Sequence, residues 1–263
     1  MLKQRVLTAI VALAVLLLAL FVLPAQLTRL IIAALMLVAA WEWSGFLSLQ
    51  SPYARASYVI LIALLAAAVF WYQHGGPVLQ SVMQLAIAWW LAAFLWLFFY
   101  PTGIPRVLAW ACGAFVIVPA WLAIDWLYRL QPLLLLMVLT IVWAADIGAY
   151  FTGKKIGRVK LAPQISPGKT WEGVIGGLLA VTVLALAVGN RADLDLAVLL
   201  PLCLAVAVIS VVGDLTVSVF KRHAGVKDSG SLFPGHGGVL DRIDSIAAAT
   251  PLFVVGAGWA GLT

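Results

Sequence analysis

Long apolar runs separated by short polar connections dominate the chain. Nine of these runs, of about 18 to 23 residues, are long enough to cross a hydrocarbon core roughly 30 Å thick as α-helices. The runs are continuous and do not alternate residue by residue, which excludes a transmembrane β-barrel. The pattern predicts an all-α polytopic membrane protein with spans near 6–23, 27–47, 57–73, 82–100, 107–127, 132–152, 173–190, 195–217 and 240–261.

Composition agrees with a membrane protein. Of the 263 residues, 65% are hydrophobic and 10% are charged, whereas an ordinary soluble domain is about 25% charged. Met1–Arg5 and the apolar run after it resemble a secretory signal, but the further spans favour a retained first helix. Cys112 and Cys203 fall inside predicted spans without a CxxC or His-rich neighbour, so we expect packing residues and no disulfide framework or metal cluster.

The basic residues predict the orientation of the spans, because Lys and Arg near span ends are retained on the cytoplasmic side. With the N-terminus inside, thirteen of the sixteen basic residues are cytoplasmic, and only Arg29, Arg129 and Arg191 are external. We therefore expect an N-in, C-out topology. The net charge of +6 follows from this topology and favours anionic lipid head groups. The interior loops lack interleaved aromatic residues, so no nucleic-acid partner is expected.

Two predicted cytoplasmic segments, Thr152–Glu172 and Ser218–Ser245, carry thirteen charged residues, although the whole chain has only 16 basic and 10 acidic ones. Both segments are rich in Gly and Pro, as tight turns require. We expect a single polytopic membrane domain over residues 1–263, with N-terminal spans over 1–130 and C-terminal spans over 131–263. The C-terminal part, where we expect the functional site, would contain cytoplasmic loops at 153–172 and 218–241.

The second segment carries residues suited to a phosphate and a metal ion. Gly235, Gly237 and Gly238 surround His236, so that backbone N–H groups could approach phosphate oxygens. The next residues are Asp241, Arg242 and Asp244, whose two carboxylates lie three residues apart on one helical face. Magnesium usually takes one or two carboxylates and completes its shell with water and substrate phosphates.

Further polar residues within the spans extend this candidate site. Asp214 is followed one helical turn later by Ser218, and Lys221 and Arg222 come a further turn on. This spacing predicts a metal ligand followed by side chains that donate hydrogen bonds to a phosphate. Asp146 lies at membrane depth, where an ionisable group is expensive unless it is paired or functional. A structural ion pair or helix cap remains an alternative for Asp146.

Other polar residues have simpler alternatives. Lys154–Lys160 fit a positive-inside cluster, and His236 fits a turn-stabilising role as well as a substrate contact. For Glu42, near the inner end of the second span, a snorkelling side chain or a hydrogen bond between helices is as good an interpretation as chemistry.

The sequence SVFKRHAGVKDSGSLFPGHGGVLDRIDS closely resembles the signature of the phosphatidate cytidylyltransferases, the CDP-diacylglycerol synthases. The matching positions are Ser218, Lys221-Arg222, Lys227-Asp228, Pro234–Gly238 and Asp241-Arg242-x-Asp244. GDLTVSVFKR, SPGKTWEG and the stretch from WAAD to AYFTG are also similar to that family, so the resemblance covers about residues 140–250. The N-terminal spans match mainly in character, with WEW at Trp41–Trp43 as one suggestive detail.

The resemblance implies a reaction of CTP with phosphatidic acid, dependent on Mg²⁺, that yields CDP-diacylglycerol and pyrophosphate. It also implies a polytopic helical fold in the bacterial inner membrane, often dimeric. A second cation such as K⁺ is left open. The resemblance assigns three roles to residues of the signature and its upstream motifs. The catalytic residues would be Lys221, Arg222, Lys227, Asp228, Asp241 and Asp244. Contacts with CTP would come from Ser166, Lys169, Thr170, His236, Gly237, Gly238 and Arg242, and the metal ligands would be Asp214, Asp241, Asp244 and Asp146.

Three other classes of membrane protein fit the sequence less well than this function. A phosphotransferase that uses CDP-linked lipids would carry a DGxxAR core, and that string is absent from the sequence. A transporter would place its polar site near the bilayer midplane, whereas the charges here gather at one face. A structural membrane protein would leave the Asp residues without a role.

Overall fold

The computed structural model describes residues 2–72, 77–232 and 237–262. It contains a helix at each of the nine predicted positions and one short β-hairpin. The helices are α1 (Leu2–Phe21), α2 (Ala25–Ser44), α3 (Pro52–Tyr72), α4 (Pro77–Leu97), α5 (Arg106–Leu130), α6 (Pro132–Ile156), α7 (Trp171–Ala192), α8 (Leu196–His223) and α9 (Leu240–Trp259), and the strands are β1 (Lys160–Ala162) and β2 (Ser166–Thr170).

Seven helices, α2 to α8, are long and apolar enough to cross a membrane, judged over the described residues. The protein is therefore an integral membrane protein built mainly from helices. The described apolar part of α1, Val11–Phe21, is shorter than the other seven. Helix α9 begins with Asp241, Arg242 and Asp244, which lowers its hydropathy.

The two predicted cytoplasmic loops, 153–172 and 218–241, contain regular secondary structure. In the first, α6 continues to Ile156, and an antiparallel hairpin pairs Lys160 with Thr170. The predicted loop 218–241 begins inside α8, which continues to His223. Hydropathy missed these helical turns because their polar side chains end the apolar run before the backbone hydrogen bonding ends.

The helices run up and down, so that alternate helix ends meet at one end of the bundle. At that end, Trp43 Nε1 of α2 donates to the carbonyl of Ala109 in α5, and the Trp43 ring packs on Phe220 of α8. At the opposite end, Arg29 of α2 pairs with Asp125 of α5. We call the end that contains Trp43 and Phe220 the site end, because the predicted functional residues also lie there.

Helix α9 lies in the middle of the bundle, where it contacts α2, α4, α5, α6 and α8. Its buried residues include Asp244, Ala248 and Phe253. Neighbouring helices rather than lipid therefore surround most of this less apolar helix. The structure has a helix where a last span at 240–261 was predicted, and that it crosses the membrane stays a prediction. Its central position explains how it can begin with three charged residues.

Helices α6 and α7 approach closely because small residues line their contact. A Cβ atom added to Gly177 of α7 would lie 2.6 Å from the carbonyl oxygen of Ala145, and one added to Gly148 of α6 would lie 2.7 Å from that of Gly176. Small residues at such interfaces let two helix backbones approach within a membrane. This contact fixes the position of the hairpin, which connects the two helices at the site end.

Candidate active site

Helices α8 and α9 meet at Lys221, whose amino group contacts two carboxylates. Its Nζ atom lies 2.7 Å from Oδ1 of Asp241 and 3.8 Å from Oδ2 of Asp244. The two carboxylates lie on one face of α9, as their three-residue spacing predicted. All three side chains are at most 9% exposed, so this cluster is a structured charged centre and not a solvated surface.

The Asp241 carboxylate accepts several further hydrogen bonds. Its Oδ2 atom accepts from the backbone N–H of Ser229 at 2.8 Å and from the N–H of Gly238 at 3.0 Å. The same atom lies 3.0 Å from the Ser229 hydroxyl, whose single hydrogen it shares with Glu42. Gly237 next to it has a φ of +81°, a left-handed conformation that favours glycine. Asp241 therefore holds the connection between α8 and α9 while it pairs with Lys221.

Positive φ at Gly237 agrees with the flexible backbone predicted around the glycines. The N–H of Gly238 points to Asp241 in this structure, so its predicted contact with a CTP phosphate stays a prediction. His236, Gly235 and Pro234, which were part of the same motif, lie outside the described residues.

Glu42 reaches this connection from the end of α2. Its carboxylate accepts from the N–H of Val239 at 3.0 Å, from the N–H of Leu240 at 2.8 Å and from the Ser229 hydroxyl at 2.8 Å. Among the interpretations that the sequence left open for Glu42, the hydrogen bond between helices is confirmed by the contact with Leu240 of α9. The sequence assigned Glu42 no place in the site, and a single acidic residue in an apolar span was the available signal.

A second pair of opposite charges links the hairpin to α8. The Nζ atom of Lys169 in β2 lies 2.7 Å from Oδ2 of Asp214, whose Oδ1 accepts from the Ser218 hydroxyl at 3.2 Å. The Ser218 contact follows from the one-turn spacing seen in the sequence. The Lys169 and Asp214 side chains are 25% and 28% exposed, which leaves both accessible to a ligand.

Two predicted site residues hold the hairpin in place. Arg222 Nε donates to the carbonyl of Ile165 at 3.1 Å, between β1 and β2. The Thr170 hydroxyl accepts from the N–H of Gly173 at 3.1 Å and so caps the N-terminus of α7. These contacts give both residues structural partners, and their predicted contacts with phosphate groups remain predictions.

A cavity of about 320 Å³ opens beside Lys169, between α6, α7, α8 and the hairpin. Small and apolar residues such as Ala149 and Val211 form most of its lining, and Asp146, Lys154 and Lys169 supply charge. Asp146 interacts electrostatically with Lys169, Asp214 and Arg242. Asp146 lines this cavity and is exposed, and its predicted position towards the interior of the bundle stays a prediction.

The structure brings together seven of the predicted site residues: Asp146, Lys169, Asp214, Lys221, Asp241, Arg242 and Asp244. Ser166 lies at the start of β2 and is half-buried, whereas Lys227 and Asp228 are exposed on the connection between α8 and α9. The roles of these three residues remain predictions.

The carboxylates fit a metal ion that is bound mainly by substrate. Over the described ranges 2–72, 77–232 and 237–262, no group of three or more His, Cys, Asp or Glu residues gathers as a metal site. Asp214 and Asp244 do lie close enough to influence each other's charge. Two carboxylates without a complete protein cage match the way in which proteins hold Mg²⁺ on phosphates.

Comparison with known proteins covers nearly the whole chain. The sequence pattern of the Cytidylyltransferase family matches residues 3–257. A phosphatidate cytidylyltransferase of Pseudomonas aeruginosa is 42% identical over 98% of this chain and 99% of its own length. One of Haemophilus influenzae is 41% identical over 96% of this chain and 97% of its own length, and one of Staphylococcus aureus is 48% identical over 45% of this chain and 46% of its own. Because the pattern spans both the N-terminal helices and the charged centre, the chain belongs to the Cytidylyltransferase family.

Proposed function

We propose that this protein transfers the cytidylyl group of CTP to phosphatidate, giving CDP-diacylglycerol and pyrophosphate for phospholipid biosynthesis. Relatives that share about two fifths of their residues over nearly the full length are named for this activity. The observation that carries the proposal is the pairing of lysines and carboxylates at the site end, Lys169 with Asp214 and Lys221 with Asp241.

The chemistry suits this arrangement of charges. An oxygen of the phosphatidate phosphate attacks the α-phosphorus of CTP, and the bond from that phosphorus to the oxygen of the β-phosphate breaks to release pyrophosphate. The attacking phosphate is already ionised, so the protein need not supply a strong base. Positioning and neutralisation of charge supply most of the catalysis in such transfers.

Mg²⁺ is proposed as the cofactor, with Asp214 and Asp244 as its ligands and Asp146 assisting. When bound, the ion would neutralise the CTP phosphates and help to align them. Asp241 was also predicted as a ligand, but its carboxylate already accepts from Lys221, Ser229 and Gly238. We therefore assign Asp241 to the positioning of Lys221.

We assign Lys169 to CTP and Lys221 to phosphatidate. Lys169, on the hairpin beside the cavity, contacts the CTP phosphates together with Ser166 and Thr170, which lie on the same strand β2. Lys221, with Arg222 and Lys227, orients the phosphatidate phosphate and stabilises the charge that develops at the reacting phosphorus. On approach of the substrates, their phosphates would take over lysine contacts that the carboxylates make in this structure.

We further propose that α1 to α9 all cross the bacterial inner membrane, with the N-terminus and the site end in the cytoplasm. The alternating direction of the helices and the thirteen basic residues on one side support this orientation. It also gives the site access to cytoplasmic CTP and to phosphatidate in the bilayer. Catalytic spans over 131–263 remain the proposed division of the chain, and a homodimer and a K⁺ ion remain predictions from the resemblance.

Purified protein in detergent tests the function directly. With CTP, phosphatidic acid and Mg²⁺, we expect CDP-diacylglycerol and pyrophosphate in equal amounts, and loss of both when EDTA is added. The Lys169→Gln variant should lose most of this activity, whereas Arg191→Gln, which removes a charge from the opposite end, should keep it. Use of ATP in place of CTP, or of a CDP-lipid as donor, would overturn the assignment.

A further inference from the structure

We propose that Glu42 is a positioning residue of the active site, which holds the start of α9 and, through Ser229, the Asp241–Lys221 pair. The proposal rests on the proposed function, since the pair that Glu42 would position is the one assigned to cytidylyl transfer. It also gives the N-terminal helices a direct part in the site, although the signature motif itself, Ser218–Ser245, lies in the C-terminal half.

The burial of Glu42 requires an explanation. The residue is only 6% exposed, and a carboxylate removed from water costs much free energy unless charged or hydrogen-bonding partners compensate. Its partners are three donors, the N–H groups of Val239 and Leu240 and the Ser229 hydroxyl. All three lie in the segment that joins α8 to α9 or at the first residue of α9, so these hydrogen bonds hold Glu42 against that junction.

Glu42 also supplies a cap that α9 lacks. The first N–H groups of a helix have no partner within the helix, and a Ser, Thr, Asp or Asn side chain usually accepts from them. The residue before α9 is Val239, which offers no such acceptor. A carboxylate from α2 replaces the missing cap, and its negative charge is favourable at a helix N-terminus.

Two glycines leave room for this carboxylate. A Cβ atom on Gly230 or on Gly238 would collide with the carboxylate group of Glu42. Backbone from both ends of the connection therefore lies directly against Glu42. At Gly230 and Gly238, displacement of this carboxylate would therefore remove the group against which the backbone packs.

Ser229 transmits the position of Glu42 to the reacting groups. Its hydroxyl lies 2.8 Å from Oε2 of Glu42 and 3.0 Å from Oδ2 of Asp241, and Oδ1 of Asp241 accepts from Lys221 at 2.7 Å. A continuous chain of polar contacts thus runs from Glu42 of α2 through Ser229 of the connection and Asp241 of α9 to Lys221 of α8. A shift of Glu42 would move Asp241 and hence the amino group assigned to the phosphatidate phosphate.

Substitutions at Glu42 distinguish positioning from simple support of the fold. Both carboxylate oxygens accept from backbone N–H groups, whereas glutamine offers one acceptor and places an NH₂ against a donor. We expect kcat per folded molecule to fall about 10-fold in Glu42→Gln and about 100-fold in Glu42→Ala, since small displacements of reacting groups have effects of this size. The Mg²⁺ concentration that gives half of the maximal rate should rise in both.

The matched control is Asp125→Asn, which alters another buried carboxylate of the bundle, paired with Arg29 and Arg129 at the opposite end. This variant should melt at a lower temperature, with kcat per folded molecule and Mg²⁺ dependence unchanged. If the Glu42 variants behave like this control, Glu42 supports only the fold and the proposal is wrong.

A double-mutant cycle tests the path through Ser229. Because Glu42 and Ser229 act in one series, Glu42→Gln combined with Ser229→Ala should lose less activity than the product of the two single losses. Losses of activity that multiply fully would contradict the path through Ser229.

A wild-type protein that makes no CDP-diacylglycerol would instead refute the proposed function. In that case, faster amide hydrogen exchange at Val239 and Leu240 in Glu42→Gln still decides whether Glu42 holds the start of α9.

Discussion

The amino group of Lys221 lies 2.7 Å from the Asp241 carboxylate, and this ion pair joins α8 to α9 at the site end of the bundle. The Lys221 and Asp241 side chains are 9% and 7% exposed, so water screens their attraction only weakly. The same amino group is 3.8 Å from Asp244. A single lysine between two carboxylates is thus held in place before any substrate binds, which is the preorganised arrangement that stabilises charge in a transition state.

Replacement of Lys221 should damage activity and stability together. In Lys221→Gln we expect kcat/KM to fall by about 100-fold or more, because the amino group assigned to the phosphatidate phosphate is lost. The free energy of unfolding should also fall by about 3 kcal/mol, since Asp241 and Asp244 then lack their buried cation. Initial rates and thermal melting in detergent measure the two effects.

Arg191→Gln is the control for this variant, since it removes an exposed basic residue from the last turn of α7 at the opposite end. Its activity and melting temperature should stay close to those of the wild type. Wild-type kcat/KM in folded Lys221→Gln would remove Lys221 from the mechanism.

Replacement of Lys169 should separate activity from stability. Its pair with Asp214 is about a quarter exposed on both sides, and such pairs contribute about 0 to 1 kcal/mol to stability. Lys169→Gln should therefore melt almost like the wild type, while its KM for CTP rises about 10-fold or more because a charged contact with a phosphate is lost. Steady-state kinetics with varied CTP measures the change.

The hairpin offers a matched control in Lys160→Gln. Lys160 lies on β1 and is exposed, so its removal lowers the charge of the same hairpin without altering the pair with Asp214. An equal rise in KM for both variants would mean that the hairpin acts through its overall charge and not through Lys169.

The helices and part of the site could be predicted from the sequence because these features depend on neighbours in the chain. Apolar runs of sufficient length give helices in a membrane protein, and the contact of Asp214 with Ser218 follows from helical spacing. Asp241 and Asp244 were placed on one face for the same reason, and both contact Lys221.

The remaining contacts depend on packing between distant segments. Glu42 and Leu240 are separated by 198 positions in the chain, and no local pattern indicates that the end of α2 lies beside the start of α9. The hairpin was missed because strands of three and five residues are too short to show an alternating pattern. Arg222 was predicted to contact phosphate, yet its Nε holds the hairpin through the carbonyl of Ile165, a partner that only the folded chain reveals.

Substitutions of Thr170 test whether its hydroxyl, which caps α7, also contacts CTP. Loss of its hydroxyl in Thr170→Ala should lower the free energy of unfolding by about 1 kcal/mol, as for other N-terminal caps. Thr170→Ser keeps the acceptor for the N–H of Gly173 and should restore stability. If the hydroxyl serves only as a cap, KM for CTP stays unchanged in both variants, whereas a raised KM in Thr170→Ala alone would support the predicted phosphate contact.

Close packing of α6 on α7 should be required for the cavity beside Lys169. In Gly177→Ala the added Cβ would lie 2.6 Å from the carbonyl oxygen of Ala145, so the two helices must separate. Overpacking of this kind costs about 1 to 3 kcal/mol, and the hairpin between the helices should shift with them. We expect a lower melting temperature and a lower kcat/KM for CTP. Gly103→Ala is the control, because its Cβ would meet no atom within 4 Å; equal losses in both variants would show that helix packing is not the cause.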